Sequence, residues 1–189
     1  LKKENINKGV SIVGDVMFDA LILYKRKISE ISKNQDSLNK REFILCTIHR
    51  KENTNDISRL ISIFDALETI ASNTRILLPL HPRTKSIIEK NSSISIPEKL
   101  EILDPLSYLD FLKLQIDAKC IFTDSGGIQK EAFFNSIPCI TLRDETEWVE
   151  TVDLGWNTIV GSDSKKIIAA WEDVDNKKRI KDKFPYGKG

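Results

Sequence analysis

The stretch Thr123-Asp124-Ser125-Gly126-Gly127-Ile128-Gln129-Lys130-Glu131 carries residue types, at the right spacing, for holding an anion. The apolar run Lys119-Cys120-Ile121-Phe122 before it reads as a buried strand, and Ile128 to Asn135 reads as a helix. The first backbone N–H groups of a helix have no partner inside the helix, and the dipole there favours negative charge. Two glycines let a bulky phosphate come close to the backbone. Glu131 lies more than one helical turn past Ser125, where its carboxylate is placed to accept hydrogen bonds from sugar hydroxyls beside that phosphate. The competing reading is a plain strand–helix turn with a solvated Glu131. A short glycine motif does not separate the two.

Three further polar clusters follow apolar runs in the same way. They are Thr47-Ile48-His49-Arg50-Lys51-Glu52-Asn53, His81-Pro82-Arg83-Thr84 and Arg143-Asp144-Glu145-Thr146-Glu147. Histidine, arginine and amide side chains stabilise or move charge, so these are candidates for a functional site.

The elements that must position these clusters are visible as an alternation. Strands are expected at Val10–Val13, Phe43–Thr47, Ile76–Leu80, Leu100–Leu103, Cys120–Thr123, Pro138–Leu142 and Thr158–Val160. Helices are expected near Asp15–Ile31, Asp56–Ala71, Thr84–Lys90, Tyr108–Ile116, Ile128–Asn135 and Ser164–Val174. In the Asp56 segment Ile57, Leu60, Ile61, Phe64 and Leu67 recur at spacings of three and four, one buried helical face. Strands apolar on both faces and separated by helices imply an α/β fold, a doubly wound parallel Rossmann-like sheet. Ligands in such sheets bind outside the carboxyl ends of the strands, so the four clusters should converge on one edge. The polar stretch from Lys27 to Arg41 reads as a helix end plus linker. Residues 1–26 then belong to something upstream, and the doubly wound sheet starts near Arg41.

Bulk properties narrow the function classes. In 189 residues, Lys and Arg total 29 against 28 for Asp and Glu, so there is no basic stripe for nucleic acid or for a membrane surface. No apolar run approaches a membrane span, and the start lacks the apolar core of a signal peptide. The chain opens on Leu1 and not on Met, so it is expected to be cut from something longer. Three cysteines, Cys46, Cys120 and Cys139, sit in separate apolar runs. They read as buried reduced thiols of a cytoplasmic protein, with neither metal spacing nor a disulfide framework.

Taken together, the clusters resemble the non-hydrolysing UDP-N-acetylglucosamine 2-epimerase family. The matching pieces, in order, are Val13-Gly14-Asp15-Val16-Met17-Phe18-Asp19-Ala20, Thr47 to Asn53, Asp104-Pro105-Leu106-Ser107-Tyr108-Leu109-Asp110-Phe111, Thr123 to Glu131, Leu142 to Glu147, and Pro185-Tyr186-Gly187. The resemblance implies the C-terminal half of a glycosyltransferase-B architecture, with 1–40 the end of the N-terminal domain and linker and 41–189 the UDP-binding domain. It implies trans elimination of UDP through a 2-acetamidoglucal and re-addition with inverted C2, taking UDP-GlcNAc to UDP-ManNAc. His49 is the implied catalytic residue. Arg50, Asn53, Phe111, Ser125, Gly126, Gly127, Glu131 and Arg143 are the implied substrate-binding residues. Among these, Ser125, Gly126 and Gly127 take the diphosphate, Glu131 the ribose, Phe111 and its loop the uracil, and His49 and Arg143 lie near the phosphates.

No metal and no cofactor is implied. The implied partner is a UDP-sugar, with no nucleic acid and no membrane insertion, and the full-length enzyme is expected to be a homodimer. Most proton-transfer carboxylates belong to the other domain, so the chain alone is expected to be catalytically silent. After Arg143 the chain reads Thr146-Glu147-Trp148-Val149-Glu150, which looks like relatives acting on UDP-2,3-diacetamido-2,3-dideoxyglucuronate. His81-Pro82-Arg83 departs from the family's activator-site pattern, which puts substrate activation in doubt. Trp148, Trp156 and Trp171 read as packing residues. Competing functions are a glycosyltransferase of the same architecture, a hydrolysing epimerase, and a non-catalytic nucleotide-sugar-binding module.

Overall fold

The computed structural model describes residues 4–6, 8–11, 13–31 and 42–187. Six parallel strands form one sheet: β1 Phe43–Thr47, β2 Arg75–Pro79, β3 Glu101–Leu103, β4 Cys120–Thr123, β5 Cys139–Thr141 and β6 Asn157–Ile159. Their order is β3-β2-β1-β4-β5-β6. The chain therefore builds outward from β1 in one direction, then returns to lay β4 on its other side. That reversal between β1 and β4 opens a crevice above their carboxyl ends. Register is tight there: Leu45 lies opposite both Leu77 and Ile121, and Thr47 opposite Thr123.

Alternate residues of the central strands feed two cores. Ile44, Cys46, Ile76, Leu78, Cys120 and Phe122 face helices α3 (Ile57–Ala71) and α8 (Ser164–Glu172). Phe43, Leu45, Leu77, Ile121 and Cys139 face the other side, with Leu114 of α5 (Tyr108–Asp117) and Ala132 of α6 (Gly126–Phe134). Both faces of the central strands are covered, so β1, β4 and β5 are buried along their whole length and apolar up to the threonine that ends each. All three cysteines are buried and unpaired. Burial pushes the thiols of Cys46 and Cys120 far up and that of Cys139 to about 12, so they remain neutral.

Helix α1 (Val16–Ile31) packs back onto this domain rather than standing apart from it. Its Leu21 is fully buried, and Phe18 stacks on Phe134 of α6 at 4.5 Å. Asp15 starts the helix by accepting from the N–H groups of Met17 and Phe18.

The expected strand at Val10–Val13 does not form: Val10, Ser11 and Val13 are irregular, Val13 is 86% exposed, and Ile12 lies outside the described residues. Its short apolar run has no neighbouring strand to pair with in this sheet. The helix before the expected linker runs on to Ile31, and residues 32–41 of the linker lie outside the described residues. Two helices were not legible, α2 (Lys51–Thr54) and α7 (Val149–Asp153), because one turn gives no periodicity. Helix α4 (Pro82–Lys90) starts two residues before the expected point, with Pro82 in the first turn, where its missing N–H costs nothing. Helix α6 also starts early, so Gly126 and Gly127 form its first turn and not a loop before it. Among the described residues no helix is long and apolar enough to cross a membrane.

Candidate functional site

The loops after β1, β4 and β5 meet in the crevice between β1 and β4, and a buried carboxylate organises them. Asp124, fully buried just after β4, accepts from the backbone N–H of His49 at 3.0 Å and of Arg50 at 2.9 Å, and from the Asn53 amide at 3.2 Å. Asn53 is itself fully buried; its amide also donates to the Leu142 carbonyl at 2.8 Å, and its Oδ1 accepts from Arg59 Nε. Each polar atom of the Asn53 side chain is thus occupied within the protein. The residue joins the loops after β1, β4 and β5, which makes it a positioning group in this structure rather than one presented to a ligand. Asp124 had no role assigned from sequence. The signal was a charged residue directly after a fully apolar strand, a place where burial demands partners.

His49 presents a partly open ring, its side chain 34% exposed, with Nδ1 3.5 Å from Asp124 Oδ1. Burial lowers its pKa below the ordinary 6.5; Asp124 pulls it upward, while His81, Arg50 and Arg83 push it down again. The imidazole is therefore neutral at pH 7. With Nδ1 turned toward the carboxylate, Nε2 is left to accept a proton or to donate once charged. The His81 ring sits 5.7 Å away, its Nδ1 capping α4 by accepting from Arg83 N–H. Thr84 ties that helix to the site by donating to the Ile48 carbonyl at 2.6 Å.

The turn at Ser125-Gly126-Gly127 is left open. Helices α1, α3, α4, α5 and α8 each begin with a side chain that accepts from their first N–H groups. Ser125 at the start of α6 makes no such bond, and among the described residues its hydroxyl has no partner. Its own N–H is held by Thr123 Oγ1 at 3.0 Å, which aims the turn outward. The two glycines differ. A Cβ on Gly126 would lie 3.1 Å from Glu147 Oε2, 3.5 Å from the Trp148 indole nitrogen and 3.7 Å from Arg50 Nη2. A Cβ on Gly127 would meet only Met17 and Ser125, both at 3.9 Å. Close approach of a phosphate is thus available at Gly127, whereas the space at Gly126 is filled by the protein's own side chains.

Arg143, 4% exposed after β5, is gripped by Glu52 at 3.1 Å and by Glu147 at 3.0 Å. Burial works against its charge, but hydrogen bonds and charge from Glu147, then Glu52, raise its pKa. The acidic neighbours Asp144 and Glu145 are not its partners; Asp144 pairs with Arg59. Glu131, 9% exposed, accepts from Tyr108 Oη at 3.0 Å and Gln115 Nε2 at 2.7 Å. It is not a solvated helix residue. Each oxygen keeps a lone pair for a further donor, as a ribose acceptor requires. Phe111 is half-buried on α5 and packs against the second core. Trp156 is buried, but Trp148 reaches the site turn, its indole donating to the Gly126 carbonyl at 2.7 Å. Among the described residues no cluster of His, Cys, Asp or Glu could hold a metal ion.

A doubly wound sheet with an open, glycine-lined helix start at its switch point defines a Rossmann-type domain. The family model described as UDP-N-acetylglucosamine 2-epimerase matches residues 1–189, and the chain belongs to that family. A UDP-N-acetylglucosamine 2-epimerase homolog of Methanococcus maripaludis is 46% identical over 174 residues, covering 89% of this chain and 48% of the relative. The UDP-2,3-diacetamido-2,3-dideoxy-D-glucuronate 2-epimerase of Pseudomonas aeruginosa is 45% identical, covering 82% and 43%. Among solved structures, the UDP-GlcNAc 2-epimerase of Methanocaldococcus jannaschii in complex with UDP-GlcNAc and UDP superposes with a TM-score of 0.85 at 35% identity, over 100% of this chain and 54% of that one. An E. coli heptosyltransferase, at 14% identity and a TM-score of 0.54, shares the fold alone. The chain spans about half the length of the curated relatives it matches.

Proposed function

We propose that this chain is the nucleotide-holding half of a UDP-sugar 2-epimerase that converts UDP-GlcNAc to UDP-ManNAc. The observation that carries the reading is the uncapped start of α6 at the β1–β4 crevice, where the Ser125 hydroxyl has no partner among the described residues, the Gly127 approach is open, and Asp124 just before them holds the loop that carries His49. The C2 proton leaves to a base, the C1–O bond to UDP breaks, and a C1–C2 double bond forms in the sugar. UDP then adds back to C1 as a proton enters C2 from the opposite face. Charge grows on the departing diphosphate, and that is where positioned N–H groups and cations lower the barrier. The α6 N–H groups, Ser125 and Arg50 hold that diphosphate, and His49 donates to it once its Nε2 has taken up a proton. Arg143, clamped by two carboxylates, shapes the pocket and offsets their charge. Glu131 takes the ribose hydroxyls, and Phe111 with its loop flanks the uracil.

A second reading has specific support. Identity to the diacetamido-glucuronate epimerase is 45%, level with the 46% to the UDP-N-acetylglucosamine 2-epimerase homolog, and Trp148 of the Thr146-Glu147-Trp148-Val149-Glu150 stretch contacts the turn at Gly126. On either substrate we place the enzyme in the cytoplasm, in keeping with three buried unpaired thiols, and as a homodimer in its full length, as its family resemblance implies.

The test is proton exchange. Full-length enzyme is incubated in D₂O with each UDP-sugar in turn, and C2 is followed by NMR. Deuterium should enter C2 of one substrate along with its epimer. UDP and a free sugar as the only products would replace this reading with a hydrolase, and transfer to an acceptor would replace it with a transferase. The 189-residue chain alone should bind UDP without exchange, because the base for C2 must lie within hydrogen-bond reach of the sugar and is assigned to the other half.

A further inference from the structure

Lys130 is an unusual residue to find inside a domain. It is 6% exposed, yet it carries an ammonium group. Its charge is met by Asp15, the residue that starts α1, in a close ion pair. Around that pair stand three aromatic faces: Trp148 with its centroid 4.1 Å from Nζ, Tyr186 at 4.8 Å and Phe134 at 5.9 Å. Burial pushes the Asp15 carboxyl up, but the hydrogen bond from Lys130 and the N–H groups of Met17 and Phe18 outweigh it, so it stays ionised below the usual carboxylate range. A cation desolvated over a tryptophan face is held strongly and in a defined place.

The indole so held is the one whose N–H donates to the Gly126 carbonyl at 2.7 Å. Its backbone is fixed as well, since Trp148 N–H donates to Thr146 Oγ1, and that hydroxyl donates to Gln129 of α6. The Gly126 carbonyl and the Gly127 N–H belong to one rigid peptide plane. Whatever fixes the carbonyl on one side of the plane therefore aims the N–H on the other. Gly127 is the position where the turn is open to a phosphate.

We infer that Lys130 and Trp148 are positioning residues for the anion turn: Lys130 clamps the indole, and the indole orients the Gly126–Gly127 peptide so that its N–H points at the diphosphate. This rests on the nucleotide reading of the site. It also gives α1 a role, because Asp15 anchors the clamp from that helix. Tyr24 of α1 meets Tyr108 edge-on at 5.1 Å, and Tyr108 in turn donates to Glu131, so α1 touches both the phosphate and the ribose ends of the site.

The experiment is UDP calorimetry on this chain, with thermal midpoints and the Gly127 amide resonance followed by NMR. Trp148→Phe keeps a face for Lys130 and removes the N–H. It should weaken UDP about tenfold while the folded fraction is kept, and should shift the Gly127 amide already in the free protein. Lys130→Met should act in the same direction, and Lys130→Arg should restore most of the affinity. The double variant Trp148→Phe, Lys130→Met should bind no worse than Trp148→Phe alone, because both act through one carbonyl. If Trp148→Phe does not fold, Lys130→Met carries the same expectation with the indole intact. Unchanged UDP affinity with an unchanged Gly127 resonance would overturn the inference. Should the unsubstituted chain fail to bind UDP, the nucleotide reading falls instead, and the Gly127 shift in the free protein still decides whether the clamp positions the turn.

Discussion

Asp124 decides more about this site than the residues that would touch a ligand. Its carboxylate holds two backbone N–H groups and one amide from the loop after β1, so His49 and Arg50 are placed by it rather than by their own contacts. Asp124→Asn brings an amide N–H against donors already there, and we expect a loss of about 1–3 kcal/mol in urea unfolding. The same change removes the carboxylate that raises the His49 pKa, so that pKa should fall further below 6.5. With two histidines in the chain, a His49→Gln spectrum assigns the resonance, and a titration reads the shift. The sign for stability follows from linkage. The unfolded state takes up a proton near 6.5, the folded state only lower, so His49's contribution is fully present above pH 6.5 and is lost as pH falls through that value toward the folded pKa. The two glycines part company in the same way. Gly127→Ala should stabilise the helix start by about 0.4–1 kcal/mol while weakening UDP, because the methyl group meets Met17 and Ser125 only at ordinary contact distance but fills the approach. Gly126→Ala should instead disturb the Glu147–Arg143 pair, seen as a lower thermal midpoint.

At the scale of elements, the sheet was legible because parallel strands covered on both faces are mostly apolar, and β4 matches its expected span of Cys120–Thr123 residue for residue. The convergence of the four clusters was legible for the same reason: strand ends in a parallel sheet share an edge. What the sequence hid was contact across it. That Asn53 has its amide fully occupied, that Arg143 pairs with Glu52 and Glu147, and that Trp148 reaches Gly126 depends on side chains far apart in the chain. No local periodicity reports such pairs. Helix α1 is the clearest case, assigned from its position to something upstream yet packed on α5 and α6. Leu21→Ala removes a fully buried anchor of α1 and should cost about 2–5 kcal/mol in urea unfolding, with UDP affinity falling as Asp15 and Tyr24 loosen.

For the whole molecule, the 189 residues build a six-stranded sheet whose β1–β4 edge is proposed to hold a nucleotide, in a chain that spans about half the length of the curated relatives it matches. The division of labour proposed for the family puts leaving-group stabilisation here and proton transfer across the cleft. Its central claim is that the uncapped start of α6 and the buried Glu131 bind UDP. Calorimetric titration of UDP into this chain tests that directly, with Ser125→Ala, Glu131→Ala alongside. Saturable one-to-one binding is expected, displaced by the UDP-sugar. The double variant should lose about 1.5–3 kcal/mol for each hydrogen bond removed, measured where the variant is still fully folded. Absence of binding, or equal affinity in the double variant, would contradict the account.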